Sequence, residues 1–153
     1  MDEARSLCEE ALKTRRETLG NRHVHTLISM GEMGQLLHCM GKLNEAMPIQ
    51  EEALQAGREA LGGRHPDTLC SITVMDSLLQ DMFMLDEARP LCKEAMQGYR
   101  ETLGHRHPDT LISIGSMGLL LKAMGKLDEA RPLCDEALQA SRETLGHCHT
   151  RAR

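Results

Sequence analysis

A stretch of 42 residues recurs along the chain, and this period limits the possible folds more than any other feature. The four copies start at equivalent positions, 42 residues apart: Met1, Leu43, Leu85 and Leu127. The same residue types return at the same offsets, as one glutamate per copy shows: Glu3, Glu45, Glu87 and Glu129. A fixed period of this size is typical of a solenoid, in which each unit buries its apolar face against its neighbours.

The pattern of one predicted helix is clearest in the last copy, from Lys126 to Gly146. Its apolar residues recur at steps of three and four, which places them on one stripe of a helix. Asp128 suits the N-cap position, and Pro132 is placed in the first turn, where it removes at most one backbone bond. Gly146 is expected to end the helix in a left-handed conformation. We call this element the outer helix.

A second helix fills the rest of each unit, for example from Pro108 to Gly125. Pro108 fits the first helical position, Asp109 suits the first turn, and Gly125 ends the element. We call it the inner helix. About three residues join it to the following outer helix and about five separate successive hairpins, as is typical of helix–helix connections.

The period therefore predicts an all-α solenoid of antiparallel helical hairpins with about seven helices, forming a single repeat domain over residues 1–146. The domain divides into a leading outer helix and three hairpin units, at 1–20, 21–62, 63–104 and 105–146. Residues 147–153 lose the pattern and are expected to form a disordered tail. The stripe of residues 1–20 lacks part of its partner surface, so a fragment of a longer array or a self-associating segment is a second reading.

The second unit departs most from the others. Asp76 occupies the position held by Gly34 and Gly118, where helices approach closely, and a buried carboxylate there needs a partner. Phe83 and Met84 replace the Gly-Lys turn of the other units. We expect the inner helix of this unit to be the least stable.

Composition excludes several classes of protein. The formal net charge is −5 with acids and bases interspersed, and Tyr99 and Phe83 are the only aromatic residues, so neither a basic stripe nor a stacking platform exists for nucleic acid. No apolar run approaches the roughly 18 residues of a membrane span. The first residues run directly into a helical pattern without a signal peptide, and the expected location is cytoplasmic.

Cysteines and histidines are possible metal ligands, but their positions in this sequence do not favour a metal site. Cys8, Cys92 and Cys134 share one position on the outer-helix stripe and are expected to act as small buried hydrophobes. The paired histidines lie in the loops between hairpins, where His65 and His107 are expected to stabilise the turn before the Pro-Asp helix start. A structural zinc site needs four ligands, so adventitious metal at residues 147–149 is the weaker alternative.

Several sequence motifs that are typical of enzymes are missing from this sequence. There is no phosphate-cradling loop with lysine, no GxSxG and no HExxH. The many carboxylates lie beside Arg and Lys at helical spacing and are expected to form surface pairs. The chain is therefore expected to be non-enzymatic and to need no cofactor or metal.

The repeated motifs resemble the tetratricopeptide repeat. Small residues recur on the inner helix at Gly34 and Gly118, and paired alanines recur on the outer helix, as at Ala46 and Ala53. The longer unit, with RETLG-xRHPDT between hairpins and GKLDEARPLC opening the outer helix, resembles the kinesin light chain type of this repeat. The resemblance implies a right-handed superhelix whose concave face, lined by inner helices, docks peptides or partner proteins, as in cargo adaptors.

The resemblance also implies which residues face the partner. Carried onto this chain, the concave positions are Ile28, Gly31, Gln35, His38, Cys70, Thr73, Ser77, Gln80, Asp81, Ile112, Gly115, Leu119 and Lys122. The expected function is that of a scaffold or adaptor that binds a peptide or a partner protein there, with no role in nucleic-acid or membrane binding. The alternative is self-association through the end helices, as part of a longer array.

Overall fold

The computed structural model describes the backbone of residues 2–150 and the side chains of residues 2–146. Over this range the chain forms seven α-helices and no strand: α1 (Asp2–Leu19), α2 (Val24–Cys39), α3 (Leu43–Leu61), α4 (Pro66–Asp81), α5 (Leu85–Leu103), α6 (Pro108–Ala123) and α7 (Leu127–Thr150). The odd-numbered helices are the outer helices and the even-numbered ones are the inner helices. The prediction of an all-α repeat solenoid with about seven helices is confirmed.

Two compact bodies make up the chain, an N-terminal body at Met1–Met82 and a C-terminal body at Phe83–Arg153. In the N-terminal body α2 packs against α1, α3 and α4, and in the C-terminal body α6 packs against α5 and α7. Their cores are aliphatic and sulfur-rich, with Met30, Ile72 and Ile114 fully buried. This is the core that a sequence almost free of aromatic residues must build.

Histidines cap the inner helices, as expected. The Nδ1 atom of His23, His65 or His107 accepts the backbone N–H two residues further on, at 3.3, 3.2 and 3.2 Å. In α4 and α6 a proline occupies the first turn, where its missing N–H has no intrahelical partner to lose. Each cap satisfies one of the N–H groups that the first turn leaves unpaired.

The start of the outer helix differs from the prediction. α7 begins at Leu127, and the carbonyl of Lys126 accepts the N–H of Ala130 at 3.0 Å, so Lys126 is the N-cap residue. Asp128 therefore lies in the first turn, where its charge still favours the positive end of the helix. Pro132 follows in the helix interior rather than the first turn.

The far end of α7 also differs, because the helix continues through Gly146 to Thr150. The other inter-hairpin glycines, Gly20, Gly62 and Gly104, have φ between 85° and 88°, whereas Gly146 does not adopt a positive φ. After Gly62 and Gly104 a His-Pro-Asp start follows, but none follows Gly146. The predicted tail at 147–153 thus begins as helix, and residues 151–153 lie outside the described range.

Inner and outer helices of a hairpin approach each other closely at one repeated position. A Cβ built on Gly34 would lie 2.6 Å from Cδ of Gln50, and one built on Gly118 would lie 2.6 Å from Sγ of Cys134. Asp76 holds the same position in α4, is buried, and accepts a hydrogen bond from Nε2 of Gln80 at 2.9 Å. The expectation that this buried carboxylate needs a partner is confirmed.

The cysteine positions only partly follow the predicted stripe. Cys92 is buried and Cys8 is half-buried, but Cys134 is exposed. One side of Cys134 lies against Gly118, and the rest of its surface remains open. A shared stripe position therefore does not guarantee burial.

Ion pairs recur at a fixed register, and each joins an outer helix to the preceding outer helix or to the loop that follows that helix. In the N-terminal body Arg16 pairs with Glu52 at 2.6 Å and Arg22 with Glu59 at 2.7 Å. The equivalent pairs in the C-terminal body are Arg100–Glu136 at 2.7 Å and Arg106–Glu143 at 3.0 Å. Partly exposed pairs such as these contribute about 0.2–1 kcal/mol each, so they define register more than they add stability.

The turn between α4 and α5 holds a non-glycine residue in a glycine conformation. Phe83 has φ 59°, whereas Gly41 and Gly125 at the equivalent position have φ 72° and 76°. An L-residue with a Cβ pays a steric penalty there that glycine avoids. The side chain is 87% exposed, so burial of the ring does not offset this penalty.

Replacing Phe83 by glycine is expected to stabilise the chain by about 0.5–1 kcal/mol, because relief of the left-handed strain exceeds the entropic cost of glycine. Urea unfolding followed by circular dichroism measures the change. The matched control is Gly125→Ala, which should lower stability by a similar amount. A destabilised Phe83→Gly variant would contradict this account of the turn.

A second stability test uses the close approach at Gly34. The substitution Gly34→Ala should destabilise the chain by about 1–3 kcal/mol, because the new methyl group collides with the buried Gln50 side chain. Adding Gln50→Ala should recover part of this loss, which a double-mutant cycle in urea measures as a coupling of at least about 0.5 kcal/mol. Strictly additive effects would show that the two positions do not share a contact.

Candidate functional site

Each inner helix leaves a narrow strip uncovered, because the rest of its surface packs against neighbouring helices. All thirteen residues predicted for the partner-binding face lie on these strips, and none is buried. Eight are exposed: Ile28, Gln35, Cys70, Ser77, Asp81, Ile112, Leu119 and Lys122. Five are half-buried: Gly31, His38, Thr73, Gln80 and Gly115.

A cavity of about 190 Å³ opens between α2, α3 and α4 of the N-terminal body. It brings together four of the predicted residues: Ile28, Gly31, Gln35 and Cys70. The other predicted residues of this body do not line the cavity: His38, Thr73, Ser77, Gln80 and Asp81. The remaining walls are mainly apolar, with Leu27, Ala53, Leu61 and Val74.

The base of this cavity holds polar groups that the sequence did not reveal as site residues. Gln50 is fully buried and lines the cavity, and its Nε2 donates to the carbonyl of Gly31 at 3.3 Å. Its Oε1 has no hydrogen-bond partner, and neither has Oγ1 of the buried Thr68. A buried acceptor without a donor carries a desolvation cost, so an occupant that supplied a donor would relieve it.

Two carboxylates also lie at the cavity, again outside the predicted set. Glu32 comes from α2 and is exposed, and Asp67 comes from the first turn of α4 and is half-buried. Asp67 lies 3.8 Å from Nδ1 of the capping His65. Net charge alone could not locate these carboxylates, but mapping each charge onto the inner helices could have done so.

Beyond the cavity, side-chain contacts link the ends of α2 and α4. Nε2 of His38 contacts Oδ2 of Asp81, while Gln80 is turned inward to Asp76. This part of the strip is therefore occupied by contacts within the protein. The open part lies nearer the start of the two helices, at Ile28 and Cys70.

The C-terminal body carries a different surface on its inner helix. Ile112 is 65% and Leu119 64% exposed, with Gly115 between them on the same side of α6. Lys122 follows one turn later and is exposed. Large aliphatic side chains left this open on one helix face form a small apolar patch suited to contact with a partner.

Two larger grooves lie between outer helices, and each is crossed by an ion pair. One, of about 480 Å³, is bordered by Arg5 and Glu45, whose charged groups are 3.0 Å apart. The other, of about 590 Å³, is bordered by Arg89 and Glu129 at 2.9 Å. The hydrogen bond to Glu9 and the charge of Glu45 raise the pKa of the Arg5 guanidinium above its usual value. A partner would have to displace these pairs, which makes the grooves weaker candidates.

Neither a metal-binding cluster nor a membrane-spanning helix occurs in the described part of the chain. Among residues 2–146, no three His, Cys, Asp or Glu side chains come together as a metal site requires. The side chains of residues 147–149, the weaker alternative for a metal site, lie outside the described part of the chain. None of the described helices combines the length and apolar character needed to cross a membrane.

Helical hairpins of alternating inner and outer helices, with exposed residues along the inner ones, define an α-helical repeat protein. The sequence profile of the tetratricopeptide repeat matches residues 1–59 and 77–143, so the chain belongs to this family. Comparison of the sequence with characterised proteins finds no significant match.

Solved structures share the fold at low sequence identity. BtubC (BKLC) from P. vanneervenii has a TM-score of 0.86 at 18% identity over 95% of this chain. The chain spans 58% of the length of that protein. The nearly identical TPR-like repeats of a Podosopora anserina protein assigned to the kinesin light chains give a TM-score of 0.60 at 18% identity, over 94% of this chain and 88% of that one. A single-residue variant of that protein gives 0.61 at 19%, with the same coverage.

The open strip can be tested through its thiol. Cys70 at the cavity should react with iodoacetamide about as fast as the exposed Cys39 and Cys134, whereas the buried Cys92 should react only on unfolding. Mass spectrometry of tryptic peptides after timed labelling gives the rate for each thiol. A Cys70 that labelled as slowly as Cys92 would show that the mouth of the cavity is closed.

Proposed function

We propose that this chain is a non-catalytic interaction module that binds a segment of a partner protein along its inner helices. Tetratricopeptide repeats generally mediate protein–protein interaction, which sets the class of function. The observation that supports this location is the cavity between α2, α3 and α4, which gathers Ile28, Gly31, Gln35 and Cys70. The exposed aliphatic patch on α6 offers a second contact of the same kind.

The geometry favours a peptide segment over a small molecule. The cavity is small, open on one side, and continuous with an exposed strip, whereas small-molecule sites enclose most of their ligand. A side chain that entered the cavity would leave its own backbone on the strip. The free thiols at Cys8, Cys39 and Cys134 favour a reducing compartment, and we propose a cytoplasmic setting on that basis.

A steric block at the cavity tests this function. A Cβ built on Gly31 would meet nothing within 4 Å, so Gly31→Leu fills the opening without a clash inside the protein. Leucine also favours helix over glycine, and stability should not fall. Peptides selected from a random phage-displayed library on the unaltered chain should lose at least about tenfold in affinity for Gly31→Leu, as measured by fluorescence anisotropy.

The matched control places the same side chain on an outer helix. Gln97 is exposed on α5, and Gln97→Leu should leave the affinity of the selected peptides unchanged. Leu119→Asp tests the patch on α6 separately. Selection that yielded no peptide, or peptides insensitive to both Gly31→Leu and Leu119→Asp, would refute inner-helix binding.

A second candidate function is self-association, and one position favours it. Leu138 on α7 is 51% exposed, whereas its repeat equivalents Leu12, Leu54 and Met96 are between 6% and 9% exposed. Leu127 and Leu145 on the same helix are exposed as well. A second copy that covered α7 would bury them.

Light scattering behind a sizing column at two protein concentrations tests self-association. A mass that rises with concentration and falls back to that of a monomer with Leu138→Lys would support association through α7. A monomer at both concentrations would leave the inner-helix strip as the binding surface.

A further inference from the structure

Charge is divided unequally between the inner and outer helices. The sequence has 18 Lys and Arg residues, yet α2 and α4 contain none. The same two helices carry four carboxylates: Glu32, Asp67, Asp76 and Asp81. Asp76 is buried and bonded to Gln80, so three of the four remain at least partly open to solvent.

Two of these carboxylates lie on opposite walls of the cavity. Glu32 belongs to the α2 wall and Asp67 to the α4 wall, and both line the opening. No Lys or Arg lines it. Arg15 does reach α2, but it contacts Ser29 and the carbonyl of His25, and it is not among the residues that line the cavity. The opening is therefore acidic on both sides.

The interior of the cavity adds a second, independent sign of a ligand. Gln50 and Thr68 are 0% and 1% exposed, line the cavity, and each has an oxygen without a hydrogen-bond partner. Around them lie aliphatic groups, including Ile28 and Val74. An apolar space with an unsatisfied acceptor and flanking carboxylates suits a side chain with an apolar stem, accompanied by N–H donors and positive charge.

We propose that the occupant is a basic segment of a partner protein, in which an aliphatic residue enters the cavity between neighbouring lysines or arginines. This inference rests on the proposed function and specifies the chemistry of the partner. The aliphatic side chain packs on Ile28, Val74 and the open surface of Gly31. The flanking cations lie beside Glu32 and Asp67.

The same charges disfavour other macromolecules at this surface. Nucleic acids and anionic lipid headgroups present phosphates, which need Lys or Arg partners that α2 and α4 do not supply. An acidic peptide would place like charges beside Glu32 and Asp67, which opposes binding. The surface thus favours cationic segments by attraction and disfavours anionic ones by repulsion.

Three fluorescein-labelled peptides of equal length, acetylated and amidated at their ends, test the proposal with the full chain. One has leucine between two lysines, the second has the same leucine between two glutamates, and the third has alanine between two lysines. Anisotropy titrations should give the first peptide an affinity at least about tenfold higher than the second and about threefold higher than the third. Raising salt from about 0.05 to 0.5 M should weaken the first by several-fold.

Matched variants locate the site. Glu32→Gln with Asp67→Asn should weaken the lysine–leucine–lysine peptide by about three- to tenfold, because two charge pairs are lost. Glu10→Gln with Glu51→Gln removes the same charge from exposed outer-helix positions and should change affinity by less than about twofold. Circular dichroism confirms that both variants remain helical.

The results separate this inference from the proposed function. Equal affinity for the lysine and glutamate peptides, or equal loss in both double variants, would overturn the basic-segment proposal. Library peptides that lose affinity for Gly31→Leu and yet contain no Lys or Arg would support inner-helix binding and overturn only the basic-segment proposal. If no peptide depended on Gly31 or Leu119, both proposals would fail.

Discussion

Burial of the inner helices on more than one side is the constraint from which the other features follow. α2 packs against three helices and α6 against two, so most of their side chains are committed to the core. Their buried residues are mainly Leu, Ile and Met, with Thr and Ser among them. What remains is a strip about one residue wide per turn, and this strip is the only part of an inner helix that can evolve toward a partner without disturbing the core.

The division of charge has a structural origin in the same packing. Outer helices lie at the surface and contact one another through long side chains, as the pairs Arg16–Glu52 and Arg100–Glu136 show. Arginine can span that gap with its apolar stem and still reach a carboxylate. Inner helices have no such gap to span, because small and aliphatic residues fill it. Arginine therefore collects on the outer helices, whereas α2 and α4 carry carboxylates but neither lysine nor arginine.

Periodicity predicted the elements of this fold well and their details less well. The 42-residue register located all seven helices and the histidine caps, because both depend on local sequence. The positions of Asp128 and Pro132 within the outer helix were predicted wrongly. The start of that helix depends on which backbone carbonyl accepts the first hydrogen bond, and this is the carbonyl of Lys126, which is not a typical N-cap residue. The exposed residues of the inner helices were predicted from the resemblance, but the residues at the base of the cavity were not. Gln50 lies on α3, distant from the strip in sequence, and only the packing of α3 against α2 and α4 brings it to the cavity, whereas Thr68 lies on α4 two residues before Cys70.

The close approach inside each hairpin bears on how such a chain can change over generations. Gly34 faces Gln50 and Gly118 faces Cys134, so the larger outer-helix side chain fits only because its inner-helix neighbour has none. Each pair lies within one hairpin rather than across two. Unequal crossing-over that copies or deletes whole hairpins keeps matched pairs together, whereas a breakpoint in the three-residue turn between the two helices recombines partners of unequal size. Growth and loss of repeats in this architecture should therefore proceed by exchange at the longer loops between hairpins.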